Sequence, residues 1–210
     1  GSEMCIRDRY YGLYNGSYIF TNIPDSHPMA ILSEELSEIQ YSVVDDEPIL
    51  IYVKGGQYSS PYYNFTDEDG KAIDIINGTF KFMRGRSYKF IAAGISNSHP
   101  FQIYSKKGTS SSNSIKGYSG NITITMSDDD NELSYYRCKY HSNMKGNLSF
   151  LYSTINKKEY NFYYDKINVI VNNNFNKASL YCYHHGYMGG NNLLVYDNSC
   201  NLLPEPEPEP

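Results

Sequence analysis

Two imidazoles, a thiol and a thioether recur together in this sequence, and as a set they could hold one metal ion. Ser98-His99-Pro100 runs into Phe101-Gln102-Ile103, and Ser26-His27-Pro28 runs into Met29-Ala30-Ile31. Further along, Tyr136-Arg137-Cys138-Lys139-Tyr140-His141-Ser142-Asn143-Met144-Lys145-Gly146 parallels Leu180-Tyr181-Cys182-Tyr183-His184-His185-Gly186-Tyr187-Met188-Gly189-Gly190. Each copy therefore has a Ser-His-Pro element and a C-x-x-H-x-x-M-x-G element. These soft donors favour copper over hard cations, and two His, one Cys and a weak axial Met is the donor set of an electron-transfer copper site. Three donors sit on one short loop. The fourth, His99 or His27, must come from a distant strand, so the set closes only when the chain folds.

The order of the elements along the chain says how they must be positioned. A simple tandem array would alternate the two elements, whereas here both Ser-His-Pro elements precede both Cys elements. That order predicts one complete unit nested inside another, the alternative being an excised or deleted array whose outer halves would not complement each other. The expected inner unit spans 47-153, and the outer unit is split between 10-46 and 154-200. Inner strands are expected at 49-54, 79-83, 87-92, 101-104, 121-126, 133-138 and 147-152, and outer strands at 17-22, 29-32, 166-171 and 178-182. Composition agrees with such strands: 15% of residues are aromatic, 23 of them Tyr, and Gly, Asn and Ser punctuate short apolar runs. The expected fold is all-β, two sandwiches built of short strands with turn residues between them.

The ends are set apart from this scheme. Met4 to Asp8 reads MCIRD, which looks like the translated edge of a sequencing adapter, so residues 1-9 are not expected to belong to the encoded fold. Residues 201-210, with their Pro-Glu alternation, read as an extended linker in a longer multi-domain chain. The formal charge of -5 and a pI near 5.5 supply no basic stripe for nucleic acid. No apolar run reaches the length of about 20 residues that spans a bilayer.

The two C-x-x-H-x-x-M loops and their partner histidines resemble the cupredoxin, or type 1 blue-copper, family. The likeness is strongest to cupredoxin-like modules of large marine-microbial proteins, which carry Tyr-Cys-Tyr-His-His-Gly-Tyr-Met-Gly-Gly near each module's end. It covers nearly all of residues 10-200. The resemblance implies Greek-key sandwiches and one copper per unit, held by His99, Cys138, His141 and Met144 in the inner unit. His27, Cys182, His185 and Met188 would hold the second in the outer unit. It further implies a one-electron carrier, an unidentified redox protein as partner, and an extracellular or cell-surface location. One departure is visible: Pro28 and Pro100 follow the first His where many blue-copper proteins have Asn, and proline has no N–H to donate.

Other readings of the same residues stay open at this point. Cys138 and Cys182 could form a structural disulfide, zinc takes the same donors in a tetrahedral shell, and the units could be surface spacers that hold no metal. A multicopper oxidase needs further imidazoles for a catalytic copper. Of five His, only His184 is left over, so a carrier or binding module is expected rather than an enzyme. His184 reads as a solvated loop residue. Tyr140, Tyr183 and Tyr187 are candidates for a docking surface or for rim packing. Cys200 is expected to pair with a cysteine beyond the ends. The acidic runs Asp45-Asp46-Glu47 and Asp128-Asp129-Asp130 read as solvated loops, and Gly55-Gly56 and Gly189-Gly190 as turns.

Overall fold

The computed structural model describes residues 4–7, 9–105, 107–108, 110, 112–127 and 133–202. Strands and turns make up nearly all of them, with a 3-10 turn at Asn198–Leu202 and no α-helix among the described residues. The chain is all-β, as its Tyr-rich alternating runs require. It divides into two compact units, Gly1–Val44 with Tyr152–Pro210, and Asp45–Leu151. The second lies in sequence between the halves of the first.

The inner unit has two sheets over one core. One runs in the order Asn121–Thr125, Ser87–Ile95, Ile49–Gly55, Tyr63–Thr66; the other in the order Lys145–Asn147, Leu133–Cys138, Phe101–Ser105. Ile49–Gly55 lies parallel to Ser87–Ile95, and the other pairings are antiparallel. Period-two alternation turns Ile51 and Val53 inward. They meet Tyr63, Phe65, Tyr88 and Phe90, and the opposite sheet adds Phe101, Ile103, Tyr136 and Cys138. Each large side chain removed from water there contributes about 1.5–3 kcal/mol. Phe101–Ser105 is buried along its whole length, including Gln102. The Gln102 amide is satisfied by Ser110 Oγ and the Ser112 carbonyl, and it accepts from Tyr104 Oη at 2.9 Å.

The outer unit is assembled from both flanks of the chain. Its larger sheet runs Cys5–Arg7, Tyr10–Leu13, Leu194–Tyr196, Lys177–Cys182, Gly186–Tyr187, with Met29–Ser33 also paired to Lys177–Cys182. A second sheet orders Gly16–Ile23, Asp165–Val171 and Ile39–Val43, and Tyr152–Ile155 forms a hairpin with Lys158–Asn161. Ile167, Val169 and Val171 alternate inward along the central strand of the second sheet.

Several strands depart from expectation. The run 79-83 is not a strand: Phe82 is fully buried in the inner core and forms only an isolated parallel bridge to Phe150, with Phe82 N–H donating to the Ser149 carbonyl at 2.7 Å and Leu151 N–H to the Phe82 carbonyl at 2.9 Å. The run 147-152 divides between Lys145–Asn147 and the hairpin strand Tyr152–Ile155. Strands Ile39–Val43, Tyr63–Thr66, Lys158–Asn161 and Leu194–Tyr196 are not among the expected ones: the first two have exposed polar residues between their buried ones, and the last two are short with one buried residue each. Cys5–Arg7 pairs with Tyr10–Leu13, and Cys5 forms a disulfide with Cys200. Cys200 thus finds its partner inside the chain rather than beyond its ends. Asp45 is not a solvated loop residue either: its carboxylate accepts from Ser87 N at 2.8 Å and Ser87 Oγ at 2.6 Å, with Arg86 Nη1 at 3.8 Å. Of the expected linker, Asn201 and Leu202 belong to the 3-10 turn. The acidic run 128-130 and the tail 203-210 lie outside the described residues.

Candidate metal centres

Strand register brings the separated donors together. Cys138 lies opposite Phe101 in its sheet, and Cys182 lies opposite Met29. In both cases the partner is two residues after the Ser-His-Pro histidine, so that histidine comes to the mouth of the strand pair, beside the thiol. Main-chain bonds fix the approach in the same way twice. Lys139 N–H donates to the Pro100 carbonyl at 2.9 Å, and Tyr183 N–H to the Pro28 carbonyl at 2.8 Å. His99 N–H closes a turn on the Ser96 carbonyl at 3.1 Å, and His27 N–H on that of Pro24 at 2.9 Å. The prolines therefore serve through their carbonyl oxygens.

Two groups of residues that could hold a metal ion result, His99, Cys138 and His141 in the inner unit and His27, Cys182 and His185 in the outer. In the inner group Cys138 Sγ is 3.8 Å from His99 Nδ1 and 3.4 Å from His141 Nδ1, and the two Nδ1 atoms are 3.1 Å apart. In the outer group the corresponding distances are again 3.8, 3.4 and 3.1 Å. A triangle with these sides has its centre about 2 Å from every corner, the length of a metal–imidazole bond. Both thiols are free, with Cys138 at 0% and Cys182 at 2% exposure. Each thus sits in its own triangle rather than in a mutual disulfide.

Met144 and Met188 are placed by the return of the loop. Met144 N–H donates to the His141 carbonyl at 3.2 Å, and its own carbonyl accepts from Cys138 N–H at 2.9 Å. Met144 is fully buried within the inner core. Met188 is half-buried, and its N–H donates to the Leu180 carbonyl at 2.9 Å. The glycine that follows serves differently in each loop. Gly146 faces Tyr136 across the strand pair, and a Cβ there would run into the Tyr136 ring and hydroxyl. Gly190 has open space around it but a φ of +100°, which disfavours any side chain.

Beyond the donors, the inner site has two tyrosines that sequence reasoning missed. Tyr63 is fully buried and its hydroxyl donates to the His99 carbonyl at 2.9 Å. Desolvation, followed by charge on the neighbouring Cys138, pushes its pKa well above the usual phenol range. Tyr58, on the loop between Ile49–Gly55 and Tyr63–Thr66, is 61% exposed, with its ring edge-on to His141 at 5.5 Å between centroids and 6.1 Å from His99. Nothing local marks either among 23 tyrosines; only the folded strand for Tyr63 and the loop before it for Tyr58 bring them to the donors. The Cys138 sulfur also accepts Tyr140 N–H at 3.4 Å.

Around the outer site His184 is exposed, its ring against Tyr183 at 5.1 Å and His185 at 6.2 Å. Tyr140 and Tyr187 are 61% and 47% exposed, whereas Tyr183 is half-buried against Phe162. A third grouping, Cys5, Asp197 and Cys200, has both sulfurs tied in the disulfide and so offers no thiolate to a metal. No protein-family model, curated protein or solved structure matches this chain.

Proposed function

We propose that each unit holds one copper ion and that the protein is a one-electron carrier with two type 1 sites. The observation that carries this reading is the repeated triangle of one thiol and two imidazole Nδ1 atoms, at the same distances in both units. Copper bound there would supply one-electron exchange between Cu(I) and Cu(II) in a shell set by the protein. His99, Cys138, His141 and Met144 would hold one ion, and His27, Cys182, His185 and Met188 the other. Buried sulfur excludes water from the strongest donor. The N–H of Tyr140 stabilises negative charge on Cys138. Four of the five histidines are used in this way and His184 stands alone, which favours a carrier over an oxidase. The exposed Tyr140 and Tyr187 rings, beside the ligand loops, suit a transient redox partner.

Titration with Cu(II) and optical spectroscopy test the reading. Two coppers per chain and an intense thiolate-to-copper band at about 600 nm are expected. Cys138→Ser and Cys182→Ser should each remove about half of the band, and the double variant all of it. A colourless protein that takes zinc or nothing at these sites would overturn the electron-carrier reading and leave a structural or surface module.

A further inference from the structure

The two donor triangles match, but what lies over them does not. Above the inner one, the loop between Ile49–Gly55 and Tyr63–Thr66 is pinned by Gly56 N–H and Gln57 N–H, which donate to the Tyr62 carbonyl at 2.8 and 3.2 Å. This loop holds Tyr58 edge-on to His141, with an interplanar angle of 88°, and tilted at 46° to His99. Asn143 Nδ2, from the ligand loop itself, donates to Tyr58 Oη at 3.4 Å and ties the ring to the donors it covers. His141, beneath it, is half-buried. In the outer unit His185 is exposed, and besides His27 the ring against it is that of its chain neighbour His184. A sequence neighbour on the same loop moves with His185 and cannot hold it in place.

From this difference we infer that Tyr58 is a lid that makes the inner site slow to exchange its metal and leaves the outer site open. The inference rests on the copper reading given above. A bound ion leaves when one donor swings away and a competing ligand enters, and the imidazole nearest solvent is the donor with room to swing. At the inner site His141 must first break its edge-to-face contact with Tyr58, and the same ring stands in the path of an incoming chelator. At the outer site, among the described residues, His185 meets neither obstacle. An aromatic contact of this kind is expected to slow release by a factor of about 3 to 10. Tyr58 is a positioning residue here, acting through the histidines and not as a ligand.

The experiment is anaerobic mixing of the full chain, loaded with two Cu(I), with an excess of a colorimetric Cu(I) chelator. Release should occur in two phases of equal amplitude. Cys138→Ser should keep only the fast phase and Cys182→Ser only the slow one. In the Cys182→Ser background, Tyr58→Ala should speed release about 3- to 10-fold, whereas Tyr58→Phe, which keeps the ring, should stay slow. Because Tyr58 is exposed and outside the core, both variants should show the unaltered unfolding midpoint. A single phase from a chain that holds two coppers would overturn the lid, as would a Tyr58→Ala rate equal to that of the parent. A chain that binds fewer than two coppers would overturn the copper reading itself, and the lid with it.

Discussion

At the residue scale, the donors are useful because their neighbours leave them so little freedom. Cys138 is buried and its main chain is bonded on both sides, by Met144 and, through Lys139, by Pro100. Gly146 shows how tight the arrangement is: the Tyr136 ring occupies the space where a side chain would stand. Gly146→Val should therefore destabilise the inner unit by about 1–3 kcal/mol through overpacking. It should also lower the copper content of a Cys182→Ser chain, since Lys145–Asn147 carries the loop back from Met144. Thermal unfolding and a metal assay check the two effects separately. Gly190→Ala, in open space at positive φ, should cost less, about 1 kcal/mol of backbone strain.

Among the elements, the inner core is organised by aromatic side chains from facing sheets. Tyr63 meets Phe101 edge-on at 5.2 Å, and Tyr136 stacks on Phe101 at 5.6 Å. Burial pushes the Tyr136 hydroxyl up to about 12 from an ordinary 10.0, and Tyr63 is raised further. The folded chain keeps these phenols neutral at a pH where the unfolded chain ionises them. Their contribution to stability is thus fully present below pH 10; that of Tyr136 is lost as pH rises from 10 to about 12, and that of Tyr63 at still higher pH. Denaturant midpoints measured across that range should fall, and Tyr136→Phe should flatten part of the fall. Tyr41 in the outer unit, raised mainly by burial, gives the same direction there. The hairpin of Tyr152–Ile155 and Lys158–Asn161 went unread because its turn is Asn156-Lys157, both at positive φ, without the Gly that usually announces such a turn.

For the whole molecule, the nesting has a consequence for stability. Every strand pairing described above lies within one unit or the other, and the inner unit has a core cluster of its own. A fragment of residues 45–151 should fold alone, bind one copper and unfold cooperatively, which expression of that fragment with calorimetry and a metal assay would check. Separate folding would also make the two sites independent, so that each cysteine variant removes one copper without weakening the other.

The donor types, their spacing within each loop and the doubled order of the elements were all legible in the linear sequence. Chemistry and repetition are properties of a string, and the alternation that marks the main strands is local as well. What the string does not carry is distance between residues far apart in it. Only the strand register puts His27 beside Cys182 across 155 positions, and His99 beside Cys138. Only the fold places Tyr63, on its strand, behind one triangle and Tyr58, on the loop before it, above that triangle. Those placements come from packing and main-chain bonding summed over whole sheets, so two loops with the same motif acquire different surroundings.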